Sequence, residues 1–169
     1  MSNSDVEARI ARLEARVKEL EDEREIRELL SRYGFNADCR RDSEYVDLYT
    51  EDGVMDLGPT GRADMPMARW QGKDELWKFI TDPNGHHSAG VYGRSMHLQG
   101  NNVVTHIDGD EAVVDSYSVV LQGPDLRLLT AGNNQWRLKK VDGKWLFQER
   151  RRREIGGADF TGNLDATPA

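Results

Sequence analysis

The sequence has little cysteine, since Cys39 is the only one among its 169 residues. A single thiol excludes an intramolecular disulfide and argues against a thiolate metal site, so the chemistry of a reduced compartment is expected. The sequence also lacks an apolar run of membrane-spanning length and, at its charged beginning, the apolar core of a signal peptide. These absences predict a cytoplasmic protein that has no membrane partner.

Positive charge is also in short supply. The formal net charge is −7, which argues against nucleic acid as a partner. The sequence contains neither a phosphate-cradling loop nor a dinucleotide fingerprint, so no nucleotide cofactor is expected. His86 and His87 are adjacent, but no pattern of Asp, Glu or Cys completes a metal site with them. We therefore predict neither a metal nor a cofactor.

What the sequence does have is helical periodicity at its beginning. Five apolar residues alternate steps of four and three, the a/d pattern of a coiled coil, over little more than two heptads: Val6, Ile10, Leu13, Val17 and Leu20. Residues 1–22 are interpreted as a helical extension that either contacts another subunit or packs on its own domain. A second apolar stripe runs from Ile26 to Ala37, in the same helix or in one joined to it near Asp22–Arg24, and is expected to be buried.

Strands separated by turns dominate the second half. They are predicted at Ser95–Ile107, Glu111–Gln122, Arg127–Val141 and Lys144–Ile155, with Asp-Gly pairs marking two of the turns. Helices followed by hairpin-linked strands predict an α+β fold, in which the helices pack on one face of an antiparallel sheet. Residues 23–155 would form this domain, and residues 156–169 an extended tail.

This order of elements resembles the nuclear transport factor 2-like superfamily and, within it, the SnoaL-like group. The segments that carry the resemblance are Glu25–Tyr33 followed by Asp38, and Ser95–Asn102. The resemblance implies a cone-shaped α+β barrel, in which a strongly curved antiparallel sheet wraps the N-terminal helices and encloses a cavity. Within the group, the chain is similar to dehydratases and dehydrohalogenases such as bile acid 7α-dehydratase, hexachlorocyclohexane dehydrochlorinase and scytalone dehydratase.

The resemblance also implies a set of site residues. These enzymes use a His–Asp dyad, and the two family positions fall on His97 and Asp38. The tyrosine near the aspartate in bile acid dehydratase falls on Tyr33. The arginine near the end of the last strand in the dehydrochlorinase falls on Arg150, where it would contact a leaving group or an oxyanion. A second acidic residue of bile acid dehydratase has Leu121 near its position here, which argues against a bile acid substrate.

Read without the resemblance, these residues leave alternatives open. His97 lies in a strand-like segment, where a structural or an exposed histidine is the commoner role. Asp38 lies at the C-terminal end of a helix, where an anion is poorly placed and needs a partner or solvent, and pairing with Arg40 or Arg41 is an alternative to His97. On a straight helix Tyr33 and Asp38 do not share a face, so the helix is expected to end or distort near Gly34.

The remaining pocket candidates are apolar, aromatic or amide side chains: Phe35, Trp70, Tyr92, Tyr117, Leu121, Asn133 and Gln135. The predicted function is that of a cofactor-independent lyase. His97 would remove a proton from carbon in a small hydrophobic or aromatic ring compound, and a leaving group would depart from the neighbouring carbon. The leaving group is water, with halide or a carbon fragment such as formaldehyde as alternatives.

Two other functions and the oligomeric state complete the expectations. An isomerase on the same scaffold shares the proton-abstraction step, and a non-catalytic binding or assembly protein is an alternative from a different class. A homo-oligomer is expected, because a small domain would struggle to cover the seam between Val6 and Leu20. The family resemblance favours a trimer, with a dimer as the alternative.

Overall fold

The computed structural model describes residues 3–60, 63, 65–88, 91, 93–157 and 159–164, and within them the chain forms three α-helices and six β-strands. The helices are α1 (Asn3–Asp38), α2 (Asp42–Val46) and α3 (Lys73–Ile80). The strands are β1 (Tyr49–Pro59), β2 (Met67–Gln71), β3 (Ser95–Asp108), β4 (Glu111–Gln122), β5 (Arg127–Val141) and β6 (Lys144–Glu154). The predicted α+β class is confirmed.

Helix α1 is continuous over 36 residues, but its two halves have different environments. Residues 3–21 are exposed, so the structure does not pack the Val6–Leu20 seam on its own domain. The buried half begins at Asp22, whose carboxylate accepts hydrogen bonds from Trp145 and Lys140 on the β5–β6 hairpin. The apolar stripe that begins at Ile26 then enters the core, as its spacing predicts.

The strands form one sheet in the order β2-β1-β6-β5-β4-β3. Neighbouring strands are antiparallel except β1 and β6, which are parallel. The prediction of a purely antiparallel sheet is therefore wrong for this pair. The reason is topological: β3 starts at the far edge, and three successive hairpins bring the chain back until β6 lies beside β1 in the same direction.

The hairpin turns follow the sequence signals. Asp142 and Gly143 form a two-residue loop between β5 and β6, with φ values of 49° and 78°. Two central residues with positive φ are what a type I′ turn requires, and Asp-Gly is a favoured pair for it. This turn sets the register of the last hairpin as far as the pair Leu138–Phe147, and a bulge between Leu138 and Arg137 shifts the register by one residue before Arg150 pairs with Trp136.

The sheet curls around the helices, and the cone-shaped architecture is confirmed. We call the face that packs on α1 the inner face and the opposite face the outer face. The core forms between the inner face and the helices, and its largest fully buried side chains include Trp136, Tyr33, Tyr45, Tyr49 and Phe147. Aromatic burial on this scale makes the core the principal source of apolar stabilisation.

The segment after β6 is not extended throughout. A 3-10 helix covers Thr161–Asn163, and the carbonyl of Phe160 accepts a hydrogen bond of 2.7 Å from Asn133 Nδ2 on β5. Within the described parts of the chain, no helix combines the length and the apolar composition needed to cross a membrane.

Candidate functional site

The centre of the candidate site is the contact between Asp38 and His97. Asp38 Oδ1 lies 2.6 Å from His97 Nδ1. The other carboxylate oxygen, Oδ2, accepts the backbone N–H of His97 at 2.7 Å. The carboxylate therefore holds both the main chain and the ring of the same residue. The hydroxyl of Ser95 donates a further hydrogen bond of 3.1 Å to Oδ1.

These hydrogen bonds solve the electrostatic problem of a carboxylate at a helix C-terminus. Asp38 is the last residue of α1, where the helix carries partial negative charge. Donors from the beginning of β3 converge on it, and charge-assisted hydrogen bonds of this kind are stronger than neutral ones. The start of β3 is thereby fixed to the end of α1, which positions the imidazole.

Tyr33 approaches the same histidine without any break in α1. Its ring lies edge-on to the ring of His97, with 6.4 Å between their centroids. The expectation that the helix must end or distort near Gly34 is wrong, because α1 continues to Asp38. A continuous helix suffices because β3 passes close to α1 at Gly34, which brings His97 within reach of both Tyr33 and Asp38.

The Tyr33 hydroxyl belongs to a buried network. Its oxygen accepts hydrogen bonds from Tyr45 Oη at 3.1 Å and from Arg150 Nη1. The guanidinium of Arg150 also lies over the rings of Tyr33 and Trp136, at 4.7 and 4.9 Å from their centroids. Burial, together with the electrostatic effect of Tyr33, raises the pKa of Tyr45 well above its ordinary value, so Tyr45 keeps its proton.

The inward amide of β5 is Asn134, which sequence analysis did not select. Its Oδ1 accepts a hydrogen bond of 3.0 Å from Arg150 Nε, and its Nδ2 lies 3.3 Å from Ser116 Oγ. The candidates Asn133 and Gln135 lie on the outer face, where Asn133 bonds Phe160 and Gln135 bonds Arg151. The signal was available: Trp136 is a core residue, and strand alternation puts Asn134 on its side of the sheet.

Three other pocket candidates also lie away from the interior. Phe35 is 66% exposed on α1, because its helix position turns away from the stripe that contacts the sheet. Tyr117 is exposed on β4, on the opposite side from its buried neighbours Ser116 and Ser118. Leu121 pairs with Met96 in the sheet, on the face opposite to His97. All three placements contradict a role in lining the pocket.

Trp70 lies closer to the site, through a chain of aromatic contacts. Its ring packs on Phe79 at 4.4 Å, and Phe79 packs edge-on to His86 at 4.9 Å. The ring of His86 stacks on that of His97 at 5.4 Å with 19° between the planes. The last candidate, Tyr92, lies outside the described residues.

His86 is a member of the site that sequence analysis interpreted only as half of a metal site. Burial lowers its pKa to about 4, with a smaller effect from the nearby His97, so the ring is neutral near pH 7. The adjacent His87 contacts the Asp42 carboxylate at 3.1 Å. Among the described residues, no group of three His, Cys, Asp or Glu side chains is arranged to hold a metal ion. Chemically, the site combines a histidine–carboxylate pair, a phenol and a guanidinium.

Comparison with protein families gives one match. The model of a family described as a SnoaL-like domain matches residues 18–151. That span contains Tyr33, Asp38, His97 and Arg150. A search of curated proteins finds no match.

Solved structures share the fold over most of the chain. An NTF2-like protein with a cystatin-like fold from Novosphingobium aromaticivorans is 28% identical, with a TM-score of 0.77, and the match covers 90% of this chain and 94% of that one. A protein of the same bacterium that is provisionally named a scytalone dehydratase is 21% identical, with a TM-score of 0.66 and coverage of 81% and 86%. A cystatin-like protein of unknown function from Nostoc punctiforme is 22% identical, with a TM-score of 0.66 and coverage of 80% and 92%.

Proposed function

The chain belongs to the SnoaL-like domain family, and from this premise we propose that it is a cofactor-independent lyase of the dehydratase and dehydrohalogenase type. The observation that carries the proposal is the 2.6 Å contact between Asp38 Oδ1 and His97 Nδ1. His97 removes a proton from one carbon of a small, mostly apolar ring compound, and a leaving group departs from the neighbouring carbon.

Asp38 makes His97 a base in this proposal. The carboxylate accepts the N–H of Nδ1, so the neutral ring presents an unprotonated Nε2 to the substrate. Once Nε2 has taken the proton, the same carboxylate stabilises the imidazolium. A positioned general base of this kind contributes roughly 100- to 10,000-fold to a rate.

Tyr33 and Arg150 serve the leaving group. The electron pair of the broken C–H bond becomes the second bond of a C=C, and the C–O bond breaks with its electron pair on oxygen. Because the Tyr33 oxygen accepts hydrogen bonds from Tyr45 and Arg150, its own O–H is left to protonate that oxygen, and water departs. The charge of Arg150 stabilises the resulting phenolate until the proton on His97 returns to it.

The burial of the pair favours chemistry over simple binding or assembly. The side chains of His97 and Asp38 are only 9% and 15% exposed. Burial of the Asp38 carboxylate costs free energy through desolvation, and its hydrogen bonds offset this cost. A non-catalytic protein would gain little from keeping this pair inside the cone, whereas a lyase requires a base that is shielded from water and oriented.

Substrate screening in D₂O tests the proposal. Ring alcohols and ring halides are incubated with the protein, and mass spectrometry follows loss of the leaving group and deuterium exchange at the neighbouring carbon. Elimination by the wild type and its loss in His97→Gln are expected, whereas His106→Gln, at an exposed histidine of the same strand, should behave as the wild type. Double-bond migration without loss of a group would indicate an isomerase. Binding without exchange or elimination would support a binding protein.

A further inference from the structure

Two arginines of β6 lie on the inner face of the sheet and form no ion pair within the described part of the chain. Arg150 is 4% and Arg152 is 7% exposed, and strand alternation puts both on the inner face. Neither forms an ion pair with an acidic side chain among the described residues. Arg150 donates hydrogen bonds to Tyr33 and Asn134, and Arg152 donates to the hydroxyls of Ser118 and Thr130.

A third arginine of the same run, Arg153, does have a carboxylate partner. Arg153, which points the opposite way, is held by two hydrogen bonds of 3.0 and 3.1 Å to the carboxylate of Asp56. A buried charge without a counterion is costly, because the desolvation is not offset by attraction. Among the described residues, Asp56 supplies an anion to Arg153, whereas no carboxylate hydrogen-bonds directly to the two inner arginines, and a ligand could therefore supply one.

The geometry around Arg152 leaves donors available. Its Nε bonds Ser118 Oγ at 3.2 Å and its Nη2 bonds Thr130 Oγ1 at 2.5 Å, so Nη1 has no partner among the described residues. On Arg150 the bonds to neighbouring side chains come from Nε and Nη1. The Thr130 hydroxyl that accepts from Arg152 donates in turn to the exposed carboxylate of Glu154 at 2.8 Å. Burial, and then the charge of Arg150, lowers the pKa of Arg152, and the charge of Glu154 opposes this lowering.

A second orphaned group lies beside these arginines. Both side-chain polar atoms of Gln99 are buried and have no hydrogen-bond partner among the described residues. Gln99 is opposite Ser118 in the sheet, and Ser118 is the hydroxyl that accepts from Arg152. Buried polar atoms without partners are rare in folded proteins, and a bound molecule is one way in which the missing hydrogen bonds are supplied.

We propose that Arg150 and Arg152 bind a carboxylate of the substrate, so that the substrate class is a ring compound carrying an acid group. This deepens the proposed lyase function and rests on it for the ring and for the reaction. The site adjoins the base: Val120 pairs with His97 on one side and with Thr130 on the other, and Thr130 bonds Arg152. A carboxylate accepts hydrogen bonds in its plane from guanidinium groups, and the amide Nε2 of Gln99 is a further donor for it.

Binding of 1-naphthoate and 1-naphthylmethanol, measured by calorimetry at pH 7.5, tests the site. The two probes share a ring system and differ in the acid group. Because hydrogen bonds to charged groups are the stronger ones, naphthoate should bind about 10- to 100-fold more tightly than the alcohol. Arg152→Gln should remove most of this preference, whereas Arg151→Gln, on the outer face of the same strand, should leave it unchanged. Equal affinity of wild type for both probes would overturn the inference.

Further ligands and a further variant serve as controls for the binding measurement. Acetate and inorganic phosphate should bind far more weakly than naphthoate, and binding of either with similar affinity would overturn a ring acid as the ligand. The wild-type comparison does not depend on whether a variant folds. His97→Gln should retain the preference for naphthoate, since it removes the base and not the anion site. If the protein eliminates from neutral ring compounds as fast as from ring acids, the carboxylate site is contradicted and the lyase function stands. If it binds ring acids through Arg152 but catalyses no elimination, the lyase function is contradicted and the carboxylate site stands.

Discussion

Gly34 of α1 lies so close to the main chain of β3 that a Cβ at this position would stand 2.5 Å from the carbonyl oxygen of His97. A side chain is therefore excluded at Gly34 by backbone, which cannot move aside as a side chain can. The absent methyl group is what allows α1 and β3 to approach and Asp38 to reach both the ring and the N–H of His97.

Gly34→Ala tests this relationship. Alanine is favoured over glycine in a helix by about 1 kcal/mol, so helix propensity alone predicts a more stable protein. We expect the opposite, a fall in the free energy of unfolding and loss of turnover, because α1 must move away from β3. Gly100→Ala is the matched control, since nothing lies within 4 Å of a Cβ there. Unchanged stability and rate in Gly34→Ala would contradict the close approach.

Asp38→Asn tests how the carboxylate orients the base. Asparagine keeps the shape but has one acceptor oxygen, whereas Asp38 accepts from the His97 N–H, its ring and Ser95. We expect a loss of turnover of about 10,000-fold, because an amide facing Nδ1 favours the wrong tautomer of the ring. This magnitude is taken from the Asp→Asn change in the Ser-His-Asp triad of serine proteases. The double variant with His97→Gln should lose little beyond the worse single change, since the pair acts as a unit. If the rate losses of the two single variants multiply in the double variant, Asp38 and His97 act independently.

Local sequence signals predicted much of the fold. The bounds of β3–β6 agree to within a residue, because period-two alternation and Asp-Gly turns are properties of neighbouring residues. The parallel pairing of β1 with β6 was missed, since no local pattern records which distant strand will lie alongside.

The candidate site was likewise predicted only in part. The Asp38–His97 pair was predicted from the family resemblance. Spacing alone also allowed a structural or exposed histidine and a solvated helix end. Alternation from the core residue Trp136 predicts that Asn134 faces inward, whereas the predicted pocket residues Asn133 and Gln135 face outward. The stacking of His86 on His97 depends on how a loop folds back over β3, which residue order does not specify.

Protonation of His86 gives a testable pH dependence. Its pKa is about 4 in the folded protein, mainly through burial, against an ordinary value of 6.5. The unfolded chain therefore takes up the proton first, so the contribution to stability is complete above about pH 6.5 and is lost as the pH falls toward 4. We expect His86→Gln to flatten this part of the stability curve, measured by urea unfolding. An unchanged slope between pH 6.5 and 4 would refute it.

Asp22 should act at lower pH. Burial alone would raise the pKa of this carboxyl, but hydrogen bonds from Lys140, Trp145 and Lys18 outweigh burial and hold the pKa below its ordinary 3.8. Its contribution is present above that ordinary value and is lost as the pH falls through the lower folded pKa. Asp22→Asn should cost roughly 1.5–3 kcal/mol at pH 7, a typical value for a hydrogen bond to a charged group. The cost should shrink in acid, and a constant cost down to pH 2 would contradict the assignment.

The exposed seam of α1 carries the prediction of a homo-oligomer. Val6, Ile10, Leu13, Val17 and Leu20 are all exposed large apolar residues on one stripe of a helix that leaves its own domain. Such a stripe is stable in water when copies of it pack together at the a and d positions of a coiled coil. We expect light scattering at micromolar concentration to give a trimer or a dimer for the wild type. Leu13→Glu should give a monomer, because it places a charge in the seam, whereas Ala8→Glu, on the far side of the helix, should keep the wild-type mass. A wild-type monomer would contradict the prediction, and an oligomer that survives Leu13→Glu would move the interface away from α1.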